Sequence, residues 1–135
     1  MTIGSRHDEL LIAIVGPCAS GKSSLARGLA ERGIRARQVV QEHSFVPEMW
    51  KVIARPDILV YLDASFHECS QRKNLNWRQR DYDEQNLRLA HAKENCDILI
   101  QTDGQSEEAI LAEVLSRLPA LSGHRTQAGT QSLEP

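Results

Sequence analysis

No surplus of positive charge runs through this sequence: 16 Lys and Arg stand against 18 Asp and Glu, a formal net charge of −2. Nucleic acid, whose backbone needs clustered basic side chains, is therefore not an expected partner. Cysteine is scarce. Cys18, Cys69 and Cys96 are odd in number and widely spaced, which matches neither a disulfide framework nor a zinc pattern and points to a reducing compartment. Long apolar runs are missing too. Residues 10–15 are far too few for the core of a signal peptide or for a membrane span, so no membrane partner is expected and the cytoplasm is the expected location. Internal repeats are absent. What is present, 135 residues of which 41% are apolar, is enough for one domain with its own core.

The chain alternates between two patterns. Residues 10–15, Leu-Leu-Ile-Ala-Ile-Val, have no polar interruption, as in a strand buried on both faces of a parallel sheet. Gly16 breaks the run. From Lys22 the spacing turns helical, with Leu25, Ala26, Leu29 and Ala30 on one face and Gly33 where a C-cap needs a left-handed residue. Further strands are expected at 36–41, at 57–62 behind Pro56, and at 97–102. Ser65 with Glu68 and Asp81 with Glu84 read as capping boxes for helices through about Lys73 and Asn95, with a loop between them. A last helix is expected from Ser106, with Glu107 and Glu108 favourable at its positive end and Pro119 closing it. The layout is a flexible N-terminus over 1–8, one domain over 9–119 and a polar, disordered tail over 120–135. Strands alternating with helices imply a three-layer α/β fold with a parallel sheet of about four strands.

Gly16, Pro17, Cys18, Ala19, Ser20, Gly21, Lys22 and Ser23 fit G-x-x-x-x-G-K-[ST], the Walker A pattern, in its required place between strand and helix. Backbone amides of such a loop, here 16–24 including Ser24, close around phosphate oxygens. Gly21 is read as the place where a side chain would block them. Lys22 delivers a charge to the β and γ groups, Ser23 ligates Mg2+, and the helix adds its positive end. Cys18 lies at a variable position of the pattern and reads as incidental.

A carboxylate to hold Mg2+ through water, or to take a proton from an acceptor, must come from a strand end. Glu42 and Asp63 are the candidates. A four-stranded sheet cannot leave a gap beside its first strand without orphaning backbone hydrogen bonds, which gives the order 2-1-3-4 and puts Glu42 beside the phosphate loop. Its alternative is a solvated strand-end carboxylate, since Gln41 interrupts the apolar run. Asp63 reads better as a helix-entry residue. Arg72, Lys73, Arg78 and Arg80 are either a lid over the triphosphate or a solvated helical face. Phe45, Met49 and Trp50 are either an acceptor pocket or residues packed on the sheet.

Three stretches together, GPCASGKSS, PDILVYLDAS with the basic loop after it, and CDILIQTDGQSEEAI, resemble the small P-loop kinases that phosphorylate nucleosides, nucleotides or shikimate-type metabolites. The likeness covers about 10–118. It implies an ATP- and Mg2+-dependent phosphoryl transfer to a small-molecule acceptor, with Arg72, Arg78 and Arg80 as lid residues and 102–105, including Thr102 and Gly104, near the base. Residues 41–44 resemble the Glu-Arg-Ser element of deoxynucleoside kinases, with His43 in place of the arginine. Only 33–56 remain where that family carries an acceptor-binding insertion. The chain also lacks an Asn-Lys-x-Asp guanine signature, so ATP is the expected nucleotide; the alternatives are a nucleotide-binding sensor and a partner-stimulated ATPase.

Overall fold

The computed structural model describes residues 10–72 and 76–130. The N-terminal segment expected to be flexible lies outside them. Four strands, β1 (Leu11–Val15), β2 (Arg35–Gln38), β3 (Ile58–Asp63) and β4 (Ile98–Gln101), form one sheet in the order β2-β1-β3-β4. All pairings are parallel, with Leu11 opposite Arg35, Ile12 opposite Ile58 and Val60 opposite Ile98. The uninterrupted apolar run of β1 is explained by its central place, where both faces are covered.

Alternate residues of the strands feed two cores. On one face Ile12, Ile14, Val60, Leu62, Ile98 and Ile100 meet Leu25 and Leu29 of α1 (Lys22–Ala30) and Ile110, Val114 and Leu118 of α5 (Glu107–Thr130). On the other, Ala13, Val15, Leu59 and Tyr61 meet Trp50 and Ala54 of α2 (Met49–Ala54) and Leu89 and Ala92 of α4 (Gln79–Asn95). Trp50 is thus a core residue, with Met49 packed partly against it, while Phe45 is exposed and lies under the Arg88 guanidinium. Helix α3 (Phe66–Arg72) follows β3 and is capped by the Ser65 hydroxyl, which accepts from Glu68 N–H at 3.1 Å.

Three boundaries differ from those the sequence suggests. β2 ends at Gln38, because after Val39 N–H donates to Ile14 the chain turns away into a 3₁₀ turn at Gln41–His43. Gln41, the residue that interrupts the apolar run, is fully buried there; its amide holds the Val46 and Arg88 carbonyls and the Trp50 N–H. α4 starts before Asp81, whose carboxylate accepts from Arg78 N–H and so closes the first turn from inside. α5 continues through Pro119 to Thr130, taking in 120–130 of the expected tail. A proline removes one intrahelical donor but its φ suits a helix, and the turns before it are seated on the sheet by Val114 and Leu118.

Candidate functional site

The site is built at the carboxyl ends of β1 and β3, where open α/β sheets receive ligands. The turn from β1 into α1 admits only glycine at Gly16, because a Cβ there would stand 2.6 Å from the Leu62 carbonyl oxygen. Gly21 precedes α1 at φ 107°, a left-handed angle. An added Cβ at Gly21 would meet nothing closer than Leu62 Cδ1 at 4.0 Å, so backbone conformation is the constraint this structure reveals there. Ala19 adopts φ 67° with a side chain present, a conformation that non-glycine residues hold mainly at functional turns. The N–H groups of the first turn of α1 point out of this loop with the positive end of the helix.

Lys22 is buried, and its ammonium donates to the carbonyls of Gly16 at 2.9 Å and Pro17 at 3.1 Å and to Glu42 Oε2 at 2.9 Å. Those contacts use all three of its protons. Glu42 sits in the 3₁₀ turn after β2 rather than at a strand end, and its side chain is only 3% exposed. The structure therefore replaces the solvated alternative by a buried ion pair with the Walker lysine.

Arg72, at the end of α3, reaches back to the loop: its guanidinium donates to the carbonyls of Ala19, Ser20 and Thr102 and pairs with Glu68 at 3.4 Å. The other expected lid residues differ. Arg78 and Arg80 are exposed, and among the described residues no hydrogen bond or ion pair joins them to the phosphate loop; Lys73 lies outside the described residues. Asp63 pairs with Lys93 of α4 at 3.5 Å. Ser23 Oγ donates to Gln38 and Ser24 Oγ to Glu107. A cleft of about 650 Å³ runs along these groups, lined by Cys18, Lys22, Ser23, Glu42, Arg72 and Gln105 among others. Thr102 is buried with its hydroxyl on the Asp63 carbonyl, and Gly104 is not among the lining residues; Gln105 and Ser106 stand there instead.

One functional contact escaped the sequence reading. Gln85 of α4 accepts from Cys18 N–H at 2.9 Å and pins the loop. Its signal was available as a polar residue on the buried stripe Gln85, Leu89, Ala92. Among the described residues, the two buried side-chain oxygens with no hydrogen-bond partner are Ser20 Oγ, which can donate to a phosphate oxygen, and Glu42 Oε1, which can accept from a donor or face a cation, and both are in this site. Buried polar atoms are almost always paired, so two unpaired ones in one site fit a place that a polar ligand completes.

Residues 12–104 match the family model described as AAA domain. The chain belongs to the AAA domain family. A search of curated proteins finds no match. In this AAA domain the matched segment opens inside β1 and closes after Thr102, so the phosphate loop, Glu42 and Arg72 all lie within it. The protein is a P-loop nucleotide-binding protein of α/β fold. Among the described residues no helix is long and apolar enough to cross a membrane.

Proposed function

We propose that this AAA domain is an ATP- and Mg2+-dependent phosphotransferase, a kinase of a small hydroxyl- or phosphate-bearing metabolite working in the cytoplasm. The observation that carries the reading is the 2.9 Å contact between buried Lys22 and buried Glu42, with the second carboxylate oxygen unpartnered. A carboxylate kept for solubility would stand in water. When bound, ATP supplies the transferable group and Mg2+ offsets its charge. The residues of the chain then have separable tasks. Amides of 16–24 orient phosphate oxygens, Lys22 exchanges a loop carbonyl for a phosphate oxygen, and Ser23 with Glu42, through water, would hold the metal. The free oxygen of Glu42 is placed to accept a proton from an acceptor hydroxyl. Arg72 fixes the loop carbonyls and presents positive charge on the opposite wall.

Glu42→Gln separates binding from transfer. The variant keeps the ATP-induced thermal stabilisation while phosphoryl transfer falls by about 100-fold or more, the usual worth of a positioned acid or base. Transfer at the wild-type rate removes Glu42 from the mechanism.

A second reading, a nucleotide-binding sensor without an acceptor site, is favoured by one feature. Residues 33–56 hold only β2, the 3₁₀ turn and α2, and no acceptor-binding insertion. This reading expects ATP to stabilise the fold with no turnover on any acceptor.

A further inference from the structure

Three side chains with metal-binding chemistry meet at the mouth of the phosphate loop although the sequence spaces them as no zinc motif. The loop after β1 carries Cys18, the turn after β2 carries Glu42 and His43, and the pairing of those two strands brings them side by side. We propose that Cys18 Sγ, His43 Nε2 and a Glu42 carboxylate oxygen form a zinc site.

Distance comes first. The ligand atoms of the three residues lie within 4.8 Å of one another. Cys18 Sγ is 3.4 Å from His43 Nε2, and Glu42 Oε2 is 3.9 Å from the same nitrogen. Bonds of about 2.3 Å to sulfur and about 2.0–2.2 Å to nitrogen and oxygen, at tetrahedral angles, require ligand separations of about 3.4–3.6 Å. The sulfur and nitrogen already stand at that separation, and the carboxylate is about half an ångström too far from the nitrogen.

Ligand supply comes second. Glu42 is buried, and its Oε1 has no partner. The carboxylate therefore has acceptor capacity beyond its Lys22 contact. The sulfur is held by Gln85, whose amide is oriented by the chain itself: Oε1 accepts from Cys18 N–H, so Nε2 faces the sulfur, to which it donates at 3.1 Å. Such outer partners orient the ligating atom and stabilise the thiolate. Thiolate, imidazole and carboxylate together suit zinc, whereas Mg2+ takes oxygen ligands and keeps its water.

Binding moves no electrons. The Cys18 thiol gives its proton to solvent, the imidazole donates the Nε2 lone pair, the carboxylate binds as it stands, and a fourth position stays open. Zinc and the Lys22 ammonium then share one carboxylate, which has acceptor sites for both. The zinc site does not rest on the function proposed above.

The full chain, stripped with a chelator and free of nucleotide, is titrated with zinc against a chromophoric chelator. Wild type should take one equivalent, with affinity reduced at least about tenfold in both Cys18→Ser and His43→Ala and unchanged in Cys96→Ser. Cobalt in place of zinc should give a thiolate charge-transfer band that Cys18→Ser loses. No binding by wild type, or wild-type affinity in the Cys18 and His43 variants, overturns the site. An ATP shift absent from wild type overturns the nucleotide reading instead, and the zinc titration alone then decides the site.

Discussion

The two edges of the sheet solve the same problem in opposite ways. At the amino edge Asp57 and Asp97 act alike: each donates its own N–H to a neighbouring strand's carbonyl, Leu11 or Leu59, and accepts that residue's N–H on its carboxylate, with all four contacts at 2.8 Å. At the carboxyl edge Ser20 Oγ and Glu42 Oε1 are left without partners. Size does not distinguish the edges. A cleft of about 660 Å³ lies at the amino edge, beside Trp50, Asp57 and His91, and it equals the phosphate cleft in volume. Its buried side-chain polar atoms, however, are paired, among them Trp50 Nε1 with His91 Nδ1. Unsatisfied polar atoms, not volume, mark the edge built for a ligand.

Substitution at each edge can break that contrast. The largest effect is expected at Lys22→Ala, which strands a buried carboxylate; losing one partner of a buried pair costs about 3–5 kcal/mol, or on the order of 10 °C in melting temperature. On the proposed function the same change removes a charged contact to phosphate, for about a 10- to 100-fold loss of ATP affinity measured by titration calorimetry. Unchanged affinity would place the nucleotide elsewhere. Asp57→Ala should instead lower the melting temperature by only a few degrees, for a contact worth about 1 kcal/mol, and leave ATP affinity untouched. A weakened affinity there would show the edges to be coupled.

The smallest effect concerns a thiol between the edges. Burial pushes Cys69 from 9.0 up to about 11, since the folded chain holds the thiol proton more tightly than the unfolded chain does. Its contribution to stability is therefore complete below about pH 9 and is lost as pH rises toward 11. Denaturant unfolding at pH 8 and pH 10.5 should reveal a loss of stability that is smaller in Cys69→Ala, where Tyr61, Tyr82 and Cys96, also pushed up by burial, still contribute.

The parts legible in the sequence were those under local constraint. Each fixed position of the glycine loop has its own reason, and the order 2-1-3-4 follows from the need to satisfy β1 on both sides. Contacts set by tertiary geometry were less legible. Gln41 looked like a flaw in a strand and is a buried clamp; Gln85 looked like one more polar helix residue and holds the loop. Arg78 belongs to the start of α4, because the Asp81 carboxylate closes the helix on its N–H. Arg72 is the basic residue that reaches the loop, since α3 ends there with its guanidinium aimed back along the sheet edge.

The most direct test of the account is thermal unfolding of wild type with ATP, GTP and Mg2+, because a ligand of the native state raises apparent stability by about 2.7 kcal/mol at 100 times its Kd. A rise of several degrees with ATP and Mg2+, absent in Lys22→Ala, is the result expected. No shift of wild type with either nucleotide would contradict it and leave the loop as a turn between strand and helix.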